Sequence, residues 1–122
     1  MHSRNIFESF HFAFSGLWYA LRTQRNTRIH LTIAVAVIAL GLWLDLPLAQ
    51  WPVLTLTIGF VLVSEMVNTV AETLVDLISP GYHPLAKVIK DVTAGAVLLT
   101  AVVSVIVGLL VLGPPLLERL GW

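Results

Sequence analysis

Three long apolar stretches separated by short polar breaks run through most of the chain, and an aromatic-studded stretch precedes them. Over residues 3–24, Phe7, Phe10, Phe14, Leu17, Trp18 and Leu21 recur at three- and four-residue spacing. That pattern predicts an amphipathic helix with one broad aromatic stripe, with Arg4, Glu8, His11 and Arg22 off its centre. Such a helix fits two settings equally, flat in a membrane interface or packed on a bundle. Residues 22–30 read as a polar connector in which Arg22, Arg25 and Arg28 act as topology anchors or as phosphate contacts. Three spans follow, at about residues 29–45, 53–78 and 85–112. The first is short for a bilayer and is stopped at Asp45-Leu46-Pro47, because a proline disfavours helix at the residue before it. Trp43 and Trp51 bracket that turn as interfacial anchors. The second ends at Ser79-Pro80-Gly81, and the third is expected to close at Gly113-Pro114-Pro115. Ala94, Gly95, Ala96, Ala101 and Gly108 in the third are small enough for close helix approach.

Composition makes the membrane reading firm. Of 122 residues, 57% are hydrophobic and 11% charged, with a mean hydropathy of +0.90. Soluble domains carry roughly a quarter charged residues. The apolar runs are continuous and do not alternate, which argues for helices over a membrane β-barrel. The expected architecture is therefore all-α and integral to a membrane, as a single domain over 1–122. Net charge is zero, so no electrostatic case for nucleic acid exists. The absence of cysteine excludes disulfides, thiolate metal sites and cysteine nucleophiles. No cleavable signal peptide is expected, since residues 1–28 lack an uninterrupted apolar core and a small-residue cleavage site. Arg4, Arg22, Arg25, Arg28, Lys87 and Lys90 lie before the first span or around the 77–90 loop, whereas the 45–52 loop has no Lys or Arg. The positive-inside rule then places the N-terminus and the 77–90 loop in the cytoplasm and the C-terminus outside.

Against this background the second span carries an anomaly. Glu65, Asn68, Glu72 and Asp76 fall on one face of a helix turning about 100° per residue. Ionisable groups at membrane depth cost roughly 2.5–3.5 kcal/mol each on insertion scales and default to a functional reading. Topology sets this stripe beside the Arg22–His30 connector and Lys87–Asp91. Carboxylates and lysines at a membrane boundary suit chemistry on phosphate and Mg²⁺, with a deeper carboxylate as base toward a hydroxyl presented from the membrane. Plain structural roles stand beside each of these. Glu65 serves equally as a protonated carboxyl between helices, Glu72 and Asp76 as snorkelling charges, Asn68 as helix–helix glue, and Lys90 with Asp91 as a surface pair. His83 reads as a loop residue and His30 as a polar group at a helix start. A polar stripe on one of three spans also calls for partners, which homo-oligomerisation supplies. No GxxxxGK[ST] phosphate loop occurs. Pattern alone leaves a kinase, a proton-linked transporter and an ion-binding subunit all open.

Taken together, Glu65-x-x-Asn68-Thr69-x-x-Glu72-x-x-x-Asp76, Tyr82-His83-Pro84-Leu85-Ala86-Lys87 and Lys90-Asp91 with Ala94-Gly95-Ala96-Val97 resemble the bacterial membrane diacylglycerol kinase and undecaprenol kinase family. The resemblance extends to the amphipathic start and the Arg25-Asn26-x-Arg28-Ile29-His30 connector. It implies a homotrimer of three-span subunits, each with an N-terminal surface helix, in the bacterial inner membrane. It implies transfer of the γ-phosphate of ATP, with Mg²⁺, to the hydroxyl of a membrane lipid at the cytoplasmic face. By position Glu65 resembles the proposed general base and Glu72 a metal-binding carboxylate. Asn68 and Asp76 resemble active-site supports, and Lys90 and Asp91 the nucleotide-binding pair.

Two positions depart from the family pattern. Val70-Ala71 stands where Ala-Ile is usual, an apolar exchange that repacks a helix contact. Gln24 stands where the connector normally supplies a second metal-binding glutamate, and an amide oxygen coordinates more weakly than a carboxylate. The alternative implied by Gln24 is a nucleotide-binding membrane protein of the same fold with impaired chemistry. For the acceptor, Arg28-Ile29-His30 and the Ser79–Lys87 stretch lie closer to the undecaprenol kinase branch than to the enterobacterial diacylglycerol kinase branch. A transporter fits less well, because the first span offers no ionisable residue between His30 and Asp45.

Overall fold

A computed structural model describes residues 5–122, so Arg4 lies outside the described residues. Four α-helices account for nearly all of them. They are α1 (Ile6–Thr23), α2 (Arg25–Trp43), α3 (Trp51–Ile78) and α4 (Pro84–Arg119), with a single 3-10 turn at Leu48–Gln50. Helices α2 and α4 and the stretch from the 3-10 turn through α3 are each long and apolar enough to cross a membrane.

Local chemistry sets the helix ends. Asn5 caps α1, its side-chain oxygen accepting from the Glu8 N–H at 2.9 Å. The expected connector over 22–30 is almost entirely helical. Gln24 alone leaves helical geometry, at φ −109° and ψ 112°, and ends α1 while starting α2. Arg28 holds the elbow shut. Its Nη1 donates to the carbonyls of Leu21 and Arg22 at 2.9 and 3.0 Å, taking up acceptors that the end of α1 leaves unpaired. Arg28 thus serves as a structural clamp at the elbow.

The α2–α3 hairpin turns on a Schellman cap. The Leu46 N–H donates to the Gly41 carbonyl and the Asp45 N–H to the Leu42 carbonyl, at 3.1 and 3.2 Å. Asp45 takes the left-handed position usually given to glycine, with φ 51°. Among the glycines, Gly41 is the one with a side chain packed against it. A Cβ there would stand 2.9 Å from Cη2 of Trp51. By contrast, a Cβ on Gly95 or Gly108 would meet nothing within 4 Å, so these two glycines of α4 do not make a close approach within one chain.

The helices pack unevenly. The most extensive contact is between α3 and α4. The core clusters around Leu44, Leu46, Leu54, Val111 and Leu112, at the end of the bundle that holds the 44–50 turn. That packing explains a departure from the expected elements. Helix α4 does not close at Gly113-Pro114-Pro115 but continues through both prolines to Arg119. Proline removes a donor, yet its fixed φ is compatible with helix, and backbone in lipid has few alternatives to helix. Val111 and Leu112 are buried before the prolines, and Leu116 packs on the same cluster after them. Arg119 then anchors the far end. It lies over the Trp43 ring at 4.6 Å and donates to the Trp43 carbonyl.

The aromatic stripe of α1 does not pack on the bundle. Phe7, Phe10, Phe14, Leu17 and Trp18 are all exposed. Within one chain the stripe is therefore left uncovered, and α1 touches the bundle through its end, where Ala20 is buried.

Gly41→Ala is expected to destabilise the fold by about 1–3 kcal/mol, because the rigid indole of Trp51 must give way to the added methyl. Unfolding in detergent micelles, compared with Gly95→Ala as a control that meets open space, checks this.

Candidate active site

The polar stripe lies where the sequence placed it, along one face of α3. Glu65, Asn68, Glu72 and Asp76 follow each other over about 16 Å at about 1.5 Å per residue. Their surroundings change steadily along that length. Glu65 is the most buried large side chain described, at 2% exposure. Asn68 and Glu72 are half-buried, and Asp76 is exposed.

The hairpin register decides what Glu65 meets. With the turn centred near residue 47, positions 30 and 65 stand at the same depth on facing helices. His30 Nε2 lies 3.1 Å from Glu65 Oε1. The approach is close enough for an ion pair but out of line for a hydrogen bond, so Oε1 has no aligned partner. Asn68 Oδ1 and Thr27 Oγ1 are likewise buried acceptors without a hydrogen bond. Three orphaned oxygens on α2 and α3 are an unusual concentration in so apolar a chain, and buried polar atoms are normally paired.

At the other end of the stripe, α3 meets the start of α4. His83 is not a free loop residue. Its Nδ1 accepts from the Leu85 N–H at 3.1 Å and caps α4, with Pro84 in the first turn. This seats Lys87, Lys90 and Asp91 on the first turns of α4. Lys90 Nζ reaches Asp76 Oδ1 at 3.1 Å, and Lys87 Nζ reaches Asp91 Oδ2 at 2.6 Å. Together with Tyr82 and the 79–81 turn these residues line an open cavity of about 360 Å³. Two lysines and two carboxylates around such a cavity offer phosphate a pair of positive donors. A second cavity of about 360 Å³ opens among α2, α3 and α4, lined by apolar side chains such as Ile33, Val37, Ile58 and Leu109, with His30 at its margin.

A model of the prokaryotic diacylglycerol kinases matches residues 11–112, which include every one of these groups. The chain belongs to that family. It is 48% identical to a diacylglycerol kinase of Synechocystis over 115 residues, covering 93% of this chain and 66% of that protein. The chain therefore spans just under two thirds of that relative's length. It is 44% identical to an undecaprenol kinase of Bacillus subtilis over 111 residues, covering 91% of this chain and 90% of that protein. To a diacylglycerol kinase of Escherichia coli it is 27% identical over 95 residues, 78% of each.

Within this kinase-family fold the site residues fall into two groups. Asp76 and Lys90 are joined directly, with Asp91 beside them through Lys87. Glu65, Asn68 and Glu72 share the α3 face above that pair. Gln24 sits apart in sequence at the α1–α2 elbow, half-buried, and its side chain makes no capping bond. Among the described residues no three His, Asp or Glu side chains form a metal-binding cluster. The orphaned Asn68 Oδ1 one turn from Glu72 adds a free oxygen donor on the same face.

Sequence reasoning missed His30. The signal was present in the turn: a hairpin centred near residue 47 pairs positions whose numbers sum to about 95, and 30 pairs with 65.

Lys90 and Asp76 are both substantially exposed, so their ion pair is expected to contribute little to folding. Asp76→Asn and Lys90→Met should each change unfolding free energy by less than about 1 kcal/mol. If these residues handle nucleotide, Lys90→Met should nevertheless weaken ATP binding about tenfold or more in a nucleotide titration of the same samples.

Proposed function

We propose that this protein is a lipid kinase that transfers the γ-phosphate of ATP, with Mg²⁺, to the hydroxyl of a membrane lipid at the cytoplasmic face of a bacterial inner membrane. The observation that carries this reading is the gradient along α3, from fully buried Glu65 to the exposed Asp76–Lys90 pair. It offers a dry carboxylate for a hydroxyl arriving from lipid and a wet, cationic end for a nucleotide arriving from water.

In this mechanism Glu65 accepts the proton of the lipid hydroxyl. The lipid oxygen forms a bond to the γ-phosphorus as the bond to the β–γ bridging oxygen breaks, and ADP leaves. Lys90 neutralises phosphate charge, Asp76 orients Lys90, and Asp91 holds Lys87. Glu72 would hold the magnesium ion together with phosphate oxygens, Asn68 lending its amide oxygen and Gln24 a weaker donor. When bound, the ion supplies charge neutralisation on the phosphates.

The whole assembly is proposed as a homotrimer. The number of subunits comes from the family resemblance, and within one chain the open space beside Gly95 and a polar stripe on a single span leave room for a partner. The exposed aromatic stripe of α1 is read as lying in the membrane interface, with the N-terminus and the 77–90 loop cytoplasmic and the C-terminus outside. Undecaprenol is the preferred acceptor and diacylglycerol the other candidate. The match over 90% of the Bacillus subtilis undecaprenol kinase supports undecaprenol, and the 48% identity to the Synechocystis diacylglycerol kinase keeps diacylglycerol as the other candidate.

A second reading is favoured by Gln24. With an amide at the elbow, the chain binds nucleotide but turns over poorly. Gln24→Glu separates the two, since a gain of about tenfold or more in rate marks a native site weakened at its metal.

The primary test is phosphate transfer from Mg-ATP to undecaprenol and to diacylglycerol in mixed micelles. Wild type is expected to phosphorylate undecaprenol faster. Glu65→Gln should lower kcat by about 10²-fold or more. Glu72→Gln and addition of EDTA should abolish product. Full activity in both glutamine variants would sink the mechanism.

A further inference from the structure

The contact between α2 and α3 gives Glu65 a neighbour that no role described so far employs. Glu65 is almost wholly buried, and its surroundings on α3 are Val61, Leu62, Met66 and Thr69. Thr69 does not serve it, because its hydroxyl donates to the Glu65 backbone carbonyl at 2.9 Å. Ser64 does not serve it either, its hydroxyl lying 2.9 Å from that of Thr100 on α4. His30 is the side chain that reaches the carboxylate, with Nε2 3.1 Å from Oε1. It is itself 22% exposed and borders the apolar cavity among α2, α3 and α4, so the residue that meets the carboxylate also lines a space fit for a lipid tail.

We propose that His30 is a positioning residue: its Nε2–H, out of line with Oε1 of Glu65 in this structure, lines up on that oxygen when substrate binds, fixes the carboxylate rotamer and leaves Oε2 to take the proton of the acceptor hydroxyl. This rests on the reading of Glu65 as the base. A carboxylate on a helix in apolar surroundings has no other means of choosing which oxygen faces the substrate, and a bent contact of this kind tightens when substrate binds. The step balances without further groups. The proton moves from the lipid oxygen to Oε2, the oxygen bonds to phosphorus, and ADP departs with its electron pair, while the imidazole keeps its own proton throughout. His30 need only be a donor at Nε2, which both its Nε2–H tautomer and the imidazolium provide.

That requirement gives a sharp test. Glutamine places an amide nitrogen near the position of Nε2, whereas asparagine places one near Nδ1 and stops short of Glu65. His30→Gln, His30→Asn and His30→Leu should be compared with Glu65→Gln in the full-length protein, in mixed micelles with undecaprenol and Mg-ATP. Melting temperature and ATP KM are recorded for each. His30→Gln is expected to keep kcat within about fivefold of wild type. His30→Asn and His30→Leu should lose about 30-fold or more in kcat, with ATP KM within about twofold. A role in folding alone would tolerate both polar replacements alike. If His30→Leu does not fold, the contrast between asparagine and glutamine decides. Equal kcat in His30→Asn and His30→Gln overturns the inference, as does His30→Leu within about threefold of wild type. If Glu65→Gln itself retains full transfer, the assignment of the base fails and His30 falls with it. If Glu65→Gln is inactive while His30→Asn is as fast as wild type, only the role of His30 is lost.

Discussion

A carboxylate held at membrane depth is the constraint from which the rest of this molecule follows. Glu65 costs roughly 2.5–3.5 kcal/mol on insertion scales, and far more if left charged and unpaired in a dry interior. The chain meets that cost by geometry. A Schellman turn with Asp45 in the left-handed position fixes where α2 ends, and Gly41 lets the Trp51 indole lie against the backbone there. Those contacts set the hairpin register, and the register brings His30 to Glu65. A shift of α2 by a single residue would rotate His30 by about 100° away from α3.

The bundle divides the work between its ends. Near the 44–50 turn, Leu44, Leu46, Leu54, Val111 and Leu112 form the densest packing, and Arg119 ties the end of α4 to Trp43. At the opposite end the helices present charge and an open cavity, and the side chains there are largely exposed. Rigid support at one end and accessible groups at the other is the arrangement a site on helices needs, since its precision comes from packing elsewhere. The pairs Asp76–Lys90 and Lys87–Asp91 are too exposed to hold the fold, so their place at this end is not explained by stability.

Much of this was legible in the residues. The three apolar runs became α2, α3 and α4, and the spacing of Glu65, Asn68, Glu72 and Asp76 gave one helix face, because periodicity is a property of the chain itself. The limits of the helices were less legible, because tertiary contacts set them. Residues 22–30 read as a connector on polarity, yet polar side chains are at home on an exposed helix, and one non-helical residue at Gln24 suffices for the elbow once Arg28 clamps the preceding carbonyls. Pro114-Pro115 read as a stop, yet Leu116 and Arg119 find partners beyond it and hold the helix together. His83 read as loop and proves to be a cap, a role visible only when Pro84 is taken as the first helical residue.

His30 shows a different kind of limit. Its identity says little, since a histidine near a helix start has many uses. Its meaning comes from the partner, and the partner is set by a turn of known centre between two helices of known pitch. The same logic applies to Gln24. Beside Arg25 and Arg28 it looks like one more polar residue of a surface stretch, but the elbow makes it the joint between an aromatic helix and a span. A side chain at a joint moves when α1 moves. Lodging α1 in the interface would therefore set where the Gln24 amide sits at the start of α2. In a chain with so few polar groups, the position of each is decided by the apolar scaffold that carries it.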